Sequence, residues 1–120
     1  MSNISDLVPA REATFFILLS LSNNDKHGYA ILKDVATLSS GRVQLSTSTL
    51  YEALARLLDQ GLVTRITTAS DEGVAQGRPG RPRKFYRLTQ TGRRVLNAEL
   101  ARLQELVTSA QRRLALLGGR

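Results

Sequence analysis

The C-terminal segment carries a long apolar seam that a single helix could not bury by itself. Its residues are spaced alternately by four and three, which places them along one side of a helix. A helix over 93–120 would be roughly 40 Å long at about 1.5 Å per residue, more than a small domain can cover. Packing on the first helix of the same chain is the alternative. We expect the seam, together with Phe15, to form a dimer interface comprising Phe15, Leu96, Leu100, Leu103, Val107, Ala110, Leu114 and Leu117.

Size and charge restrict the class of protein further. The length of 120 residues, of which 42% are hydrophobic, predicts one domain with a small core. The net charge of +7 favours a polyanionic partner such as nucleic acid or an anionic membrane surface. The most apolar run, 15–21, is too short to span a bilayer, and no cleavable signal is apparent, so we expect a cytoplasmic protein.

Two helices are indicated in the first third of the chain. The first runs from Pro9 to Leu21, and its expected inward-facing residues are Phe15, Leu18 and Leu19. A turn-rich cluster at 23–25 ends it. The second follows 27–29 and stops at 39–41, with helically spaced apolar residues at Ile31, Leu32, Val35 and Leu38.

A third helix is signalled by hydroxyl residues. Ser46 could cap it, but Thr49 and Glu52 also have capping-box spacing, so the first turn has two alternative starts. Gly61 suits the C-terminal cap. The predicted buried stripe is Leu50, Leu54, Leu57 and Leu58. The opposite face is small and polar, with Ser48, Tyr51, Glu52, Ala55 and Arg56, as expected for a helix that enters a DNA groove.

Two strands then flank a long basic loop. Residues 62–68 and 85–88 read as strands, and 69–83 connects them with Gly, Pro and Arg. Long connections in compact domains are usually functional or disordered. The element order predicts a mainly α fold with a small β-hairpin: a winged helix-turn-helix domain over 1–92 and a C-terminal dimerisation helix over 93–120, forming one compact unit.

Four motifs in this order resemble the PadR family of bacterial transcriptional regulators. They are His27-Gly28-Tyr29, Thr49-Leu50-Tyr51 with Leu54 and Leu57, Gly61-Leu62-Val63, and 83–89 followed by Gly92. The resemblance covers about 14–110, and the single C-terminal helix is similar to the shorter subfamily. It implies a homodimer in the bacterial cytoplasm and nucleoid that binds a palindromic operator in double-stranded DNA. It also implies a regulator that usually represses and is often released by a small-molecule effector, here at the dimer interface.

The candidate DNA contacts lie in three places. Lys26 and Lys33, before and on the second helix, could equally be solvated charges. Ser46 or Thr49 could act only as a helix cap. The Gly-Arg-Pro repeat loosely resembles an AT-hook, in which arginine lies in a narrow minor groove. The predicted contacts are Lys26, Lys33, Ser46, Thr47, Ser48, Thr49, Tyr51, Arg56, Arg78, Arg81, Arg83 and Lys84.

Other residues favour structural interpretations. His27, the only histidine, is expected to form a hydrogen bond at the start of the second helix. Tyr29 is expected to pack in the core, and contact with the DNA backbone is the alternative. One histidine and no cysteine predict no metal site and no cofactor. Without tryptophan, an effector could use only Phe15, Phe16 and the leucines of the last helix as an apolar surface, and these are more often core.

The leading functional prediction is therefore a dimeric, sequence-specific DNA-binding regulator. The alternative is an architectural protein that coats DNA through an AT-hook-like wing. A protein-interaction module would require an apolar or acidic outer face on the third helix, which it lacks. An enzyme is disfavoured because the sequence shows no paired carboxylates, no nucleophile with a base and no phosphate-binding loop.

Overall fold

In the part of the chain that the computed structural model describes, four helices surround a small antiparallel sheet. The structure describes residues 11–67 and 84–118, with the backbone alone at 67, 117 and 118. In chain order the elements are α1 (Glu12–Ser20), β1 (Lys26–His27), α2 (Gly28–Leu38), α3 (Thr47–Asp59), β2 (Val63–Thr67), β3 (Lys84–Leu88) and α4 (Gln90–Gly118). This confirms the predicted mainly α fold with a hairpin and a long last helix. None of the helices in this described part of the chain has the length and apolarity needed to cross a membrane.

The sheet has one strand more than the predicted hairpin. β3 lies in the centre, with β2 on one side and the two-residue β1 on the other. In β1, Lys26 lies opposite Tyr86 and His27 opposite Phe85. This short strand was missed because two residues are too few to show the alternating pattern of a strand. It joins the start of α2 directly to the hairpin.

One apolar core holds the helices and the sheet together. The fully buried side chains include Ile17, Leu18, Ile31, Leu50 and Leu54. In α3 the buried residues are Leu50, Ala53, Leu54 and Leu57, the spacing expected for one face of a helix. Among the predicted inward-facing residues, Leu38 differs because it is 40% exposed. Phe15, Leu19, Leu32 and Leu58 are partly buried against the core.

The last helix belongs partly to this core. It begins at Gln90, because the Thr89 hydroxyl accepts a hydrogen bond from the Gly92 N–H at 2.9 Å and donates one to the Gly61 carbonyl at 2.7 Å. Its first turns bury Val95, Leu96 and Glu99. The helix therefore runs through the predicted domain boundary at 92/93, and its remaining turns extend beyond the core.

Candidate nucleic-acid interface

The N-terminus of α3 presents a row of hydroxyl groups. The Ser46 hydroxyl accepts a hydrogen bond from the Thr49 N–H at 3.1 Å and donates one to the Thr49 hydroxyl at 2.9 Å. Ser46 is therefore the cap, which decides between the two predicted helix starts. Thr47 and Ser48 are exposed beside it. The whole first turn of α3 thus offers uncharged donors and acceptors to solvent.

A broad concave surface lies between α2, α3 and the sheet. Its volume is about 800 Å³, and Tyr51, with 45% of its surface exposed, stands on its α3 side. The lining residues are His27, Gly28, Tyr29, Tyr51, Leu54, Ala55, Leu58, Arg65, Lys84 and Tyr86. This lining has two cations and three tyrosines and no carboxylate. It is suited to an anionic partner that brings both charge and hydrogen-bond acceptors.

The sheet contributes its cations through the strand register. Arg65 of β2 lies opposite Tyr86 of β3, and Lys84 is two residues from Tyr86 on the same face of β3. Burial raises the pKa of the Tyr86 phenol above its usual 10.0, Tyr51 raises it further, and Arg65 lowers it by less. Tyr86 therefore stays neutral, and its buried ring packs beneath the exposed cations. The sequence did not indicate Arg65 as a site residue, because Arg65 alternates on one strand face with the apolar Val63, and no neighbouring residue distinguishes it from a solvated charge.

Tyr29 extends this surface along α2. The expectation that Tyr29 packs in the core is wrong, because 65% of its surface is exposed. The Lys33 ammonium lies 5.4 Å from the centre of its ring, a cation–π contact one helical turn apart. The spacing could have shown this, since Tyr29 falls on the side of α2 opposite Ile31 and Val35.

Lys26 is tied into the turn between α1 and α2. Its ammonium donates to the Ser20 carbonyl, to the Asn23 side-chain oxygen at 2.9 Å and to that of Asn24 at 2.6 Å. The Asp34 carboxylate is 3.7 Å away. With only 14% of its side chain exposed, Lys26 has the surroundings of a structural cross-link between the two helices.

Arg87, on β3, is also paired. Its guanidinium donates two hydrogen bonds to the Asp25 carboxylate, at 2.9 and 3.1 Å. The bidentate contact raises the pKa of Arg87, which remains protonated. The pair joins β3 to the turn after α1. Arg78, Arg81 and Arg83 lie outside the described residues.

Comparison with known proteins identifies the family. Residues 17–98 match the model of the transcriptional regulator PadR-like family, which is more than half of the chain. The chain belongs to this family. It is therefore a transcriptional regulator and not an enzyme, as the sequence predicted. No curated protein sequence matches the chain significantly.

Several solved structures share the fold. A transcriptional regulator from Clostridium thermocellum is 22% identical, with 93% of this chain and 96% of that chain covered and a TM-score of 0.67. A PadR family regulator from Eggerthella lenta is 29% identical, with 92% and 91% covered and a TM-score of 0.62. Bacillus subtilis PadR in complex with operator DNA is 26% identical, with 75% of this chain and 47% of that chain covered and a TM-score of 0.62.

In this PadR-like chain, His27 has the structural hydrogen bond that the sequence predicted. Its Nδ1 accepts from the Ala30 N–H at 3.2 Å and so caps α2. Its ring contacts Phe85 edge-on, with the ring centres 5.5 Å apart. Within 11–67 and 84–118, no group of three His, Cys, Asp or Glu side chains is placed to hold a metal ion.

The predicted dimerisation residues fall into two groups. Leu96 is buried in the chain's own core, and Phe15 and Leu103 are partly buried. Farther along α4, Leu100, Val107, Ala110 and Leu114 are exposed. The side chain of Leu117 lies outside the described part. Leu106, which is 54% exposed, adds to the uncovered apolar area.

A second cavity lies where α1 meets α4. Its volume is about 380 Å³, and it is lined by Glu12, Phe15, Phe16, Arg42, Glu99, Arg102 and Leu103. The buried Glu99 carboxylate accepts two hydrogen bonds from Arg102, at 2.7 and 3.0 Å, and Glu12 pairs with Arg42 across the mouth. The hydrogen bonds from Arg102 to Glu99 raise the pKa of that guanidinium. The cavity thus combines two phenyl rings with neutralised charge pairs.

Proposed function

We propose that this PadR-like regulator is a homodimer that binds a palindromic operator in double-stranded DNA and represses transcription. One observation carries the proposal: the exposed face of α3 adjoins a concave surface between α2 and the sheet, and the lining of that surface holds Arg65 and Lys84 and no carboxylate. The complex of Bacillus subtilis PadR with operator DNA supports it, because a related chain uses DNA as its partner.

The chemistry assigns different tasks to the parts of this face. Hydroxyls at Thr47, Ser48 and Thr49 and the guanidinium of Arg56 can hydrogen-bond with base edges in the major groove. Lys33, Arg65 and Lys84 provide positive charge for phosphates, which contribute affinity without sequence information. Lys26 has its donors occupied by Ser20, Asn23 and Asn24, so we assign it a structural role instead.

Dimerisation follows in this proposal from the uncovered part of α4. Leu100, Leu106, Val107 and Leu114 are 44%, 54%, 49% and 68% exposed in the isolated chain. Contiguous exposed apolar residues of this kind mark interaction surfaces. Pairing the α4 helices of two copies covers them and places two α3 helices on one side of the dimer. A palindromic operator would mirror this two-fold symmetry, with half-sites about 34–36 Å apart.

The cavity between α1 and α4 is the site we assign to a small-molecule effector. Phe15 and Phe16 offer apolar rings, and the cavity adjoins Leu103 on the proposed dimer face. A ligand there would bias the angle between the two DNA-binding heads and shift a population of dimers. Screening apolar aromatic compounds for release of bound DNA tests this part.

The proposed function is tested by selection from a pool of randomised DNA duplexes at about 50 and 200 mM salt. We expect a palindrome to be enriched at both concentrations. A template carrying that palindrome over its promoter should lose transcription as protein is added. If only A·T-rich sequences are enriched, without a consensus, the proposal is contradicted and the alternative of an architectural DNA-coating protein is supported.

A further inference from the structure

Gly28, the first residue of α2, lies directly against the ring of Tyr51 on α3. A methyl group added at Gly28 would overlap the Tyr51 hydroxyl oxygen and lie 2.8 Å from the ring carbon that bears it. Gly28 is buried, whereas Tyr51 is 45% exposed on the concave surface. The observed position of the tyrosine therefore requires a residue without a side chain at position 28.

The requirement concerns space and not backbone conformation. Among the described glycines, positive φ angles occur at Gly41 and Gly61, so Gly28 has a backbone that alanine can adopt. Alanine also favours a helix more than glycine does. Helix stability alone would thus prefer alanine at position 28. What glycine provides is room for the phenol.

We propose that Gly28 is a positioning residue for DNA recognition, which holds the Tyr51 ring between α2 and α3 so that its hydroxyl faces a DNA phosphate. The inference rests on the proposed function. The Tyr51 ring lies among His27, Tyr29 and Arg65 around the concave surface. A ring displaced by a methyl at position 28 would move its hydroxyl relative to these groups, and a misplaced donor weakens a hydrogen bond steeply.

A double-mutant cycle tests the inference. Gly28→Ala is made in the wild-type chain and in a Tyr51→Ala chain, and binding is measured to the duplex enriched in the selection. We expect Gly28→Ala alone to weaken binding at least about threefold, the lower range for coupled neighbours. In the Tyr51→Ala chain the same change should have no effect, because the overlapping atoms are gone. The midpoint of urea unfolding should not fall in either background.

Gly92 provides the matched control. A methyl there would overlap the Leu62 carbonyl oxygen and lie 2.7 Å from a Leu88 methyl carbon, so the obstacle is packed backbone. We expect Gly92→Ala to lower the urea midpoint equally with Tyr51 or alanine at position 51. If Gly28→Ala behaves in the same way, Gly28 is an ordinary packing residue and the inference is overturned. It is also overturned if the effects of Gly28→Ala and Tyr51→Ala on binding simply add.

The contact itself can be measured without DNA. We expect a nuclear Overhauser effect between the ring protons of Tyr51 and the α protons of Gly28 in the wild-type protein, and a weaker effect to the α proton at position 28 in Gly28→Ala. Absence of the effect in the wild type overturns the inference even if DNA binding is specific. A contact that is present in a protein enriching no duplex contradicts the proposed function, and with it the role of this contact in recognition.

Discussion

At the scale of single residues, the Ser46 hydroxyl determines where α3 begins. It satisfies the Thr49 N–H, which has no partner within the helix. We expect Ser46→Ala to lower the free energy of unfolding by about 1 kcal/mol, within the 0.5–2 kcal/mol found for such caps. Ser48→Ala is the control and should change it by less than about 0.5 kcal/mol. Urea titration measures both, and equal losses would contradict the cap.

Because of Tyr86, the free energy of unfolding should depend on pH in the alkaline range. Its pKa is raised above 10.0, chiefly by burial, so the unfolded chain loses this proton at a lower pH than the folded one. Stability should therefore be unaffected below about pH 10 and should fall as the pH rises towards the folded-state pKa. Tyr86→Phe should show a smaller fall between pH 9 and 11 in urea unfolding. An equal fall in both proteins would contradict this assignment.

At the scale of elements, α3 and the hairpin divide the proposed DNA face into a part that would contact bases and a part that would contact phosphates. Arg56 is exposed on α3, and Lys84 is exposed at the start of β3. Ser46 caps the N-terminus of α3, and Gly61 follows its C-terminus. The strand register places Arg65 and Lys84 on the neighbouring sheet. In the proposed complex, the position of the helix relative to the sheet would therefore determine which base contacts and phosphate contacts occur together.

This division predicts two kinds of mutant. Arg56→Ala should weaken binding to the enriched palindrome by about 1–3 kcal/mol and relax preference at one base position. Lys84→Ala should weaken binding equally for all sequences and reduce the slope of log affinity against log salt by about 0.9. Competition binding with single-base variants at several salt concentrations separates them. Identical behaviour of the two variants would contradict the division.

At the scale of the whole molecule, α4 belongs both to the monomer core and to the proposed dimer face. Its first turns complete the monomer core with Val95, Leu96 and Glu99, while Leu100, Val107 and Leu114 are uncovered. The monomer core is thus separate from the proposed dimer face. A change on that face should alter assembly without unfolding the chain.

The predicted variant is Val107→Glu with Leu114→Glu. Charged residues in an apolar interface are costly to bury, so the dimer should dissociate to monomers with an unchanged helical circular dichroism spectrum. Sedimentation equilibrium measures the mass. Leu116→Glu is the control, because Leu116 is 81% exposed and lies two and a half turns from Val107, on the opposite side of α4. A dimer that survives the double substitution would contradict this interface.

The sequence alone determined the elements that depend on near neighbours. The spacing of Leu50, Leu54 and Leu57 predicted the buried face of α3, and a hydroxyl cap and Gly61 predicted its ends. The alternation of four and three predicted α4. Such signals are local, since a helix repeats every 3.6 residues and its caps act within one turn.

Features that depend on distant segments of the chain follow from the folded structure alone. The two-residue β1 exists because it pairs with β3, some sixty residues later. Leu96 and Leu100 share the seam, yet only Leu96 is buried, because the rest of the chain covers α4 at Leu96 and leaves Leu100 44% exposed. Lys26 and Lys33 look alike in the sequence, but only the fold gives Lys26 its carbonyl and amide partners. Gly28 is a further example. A side chain at position 28 would overlap Tyr51, which lies on another helix, so the preference for glycine is not visible in the local sequence.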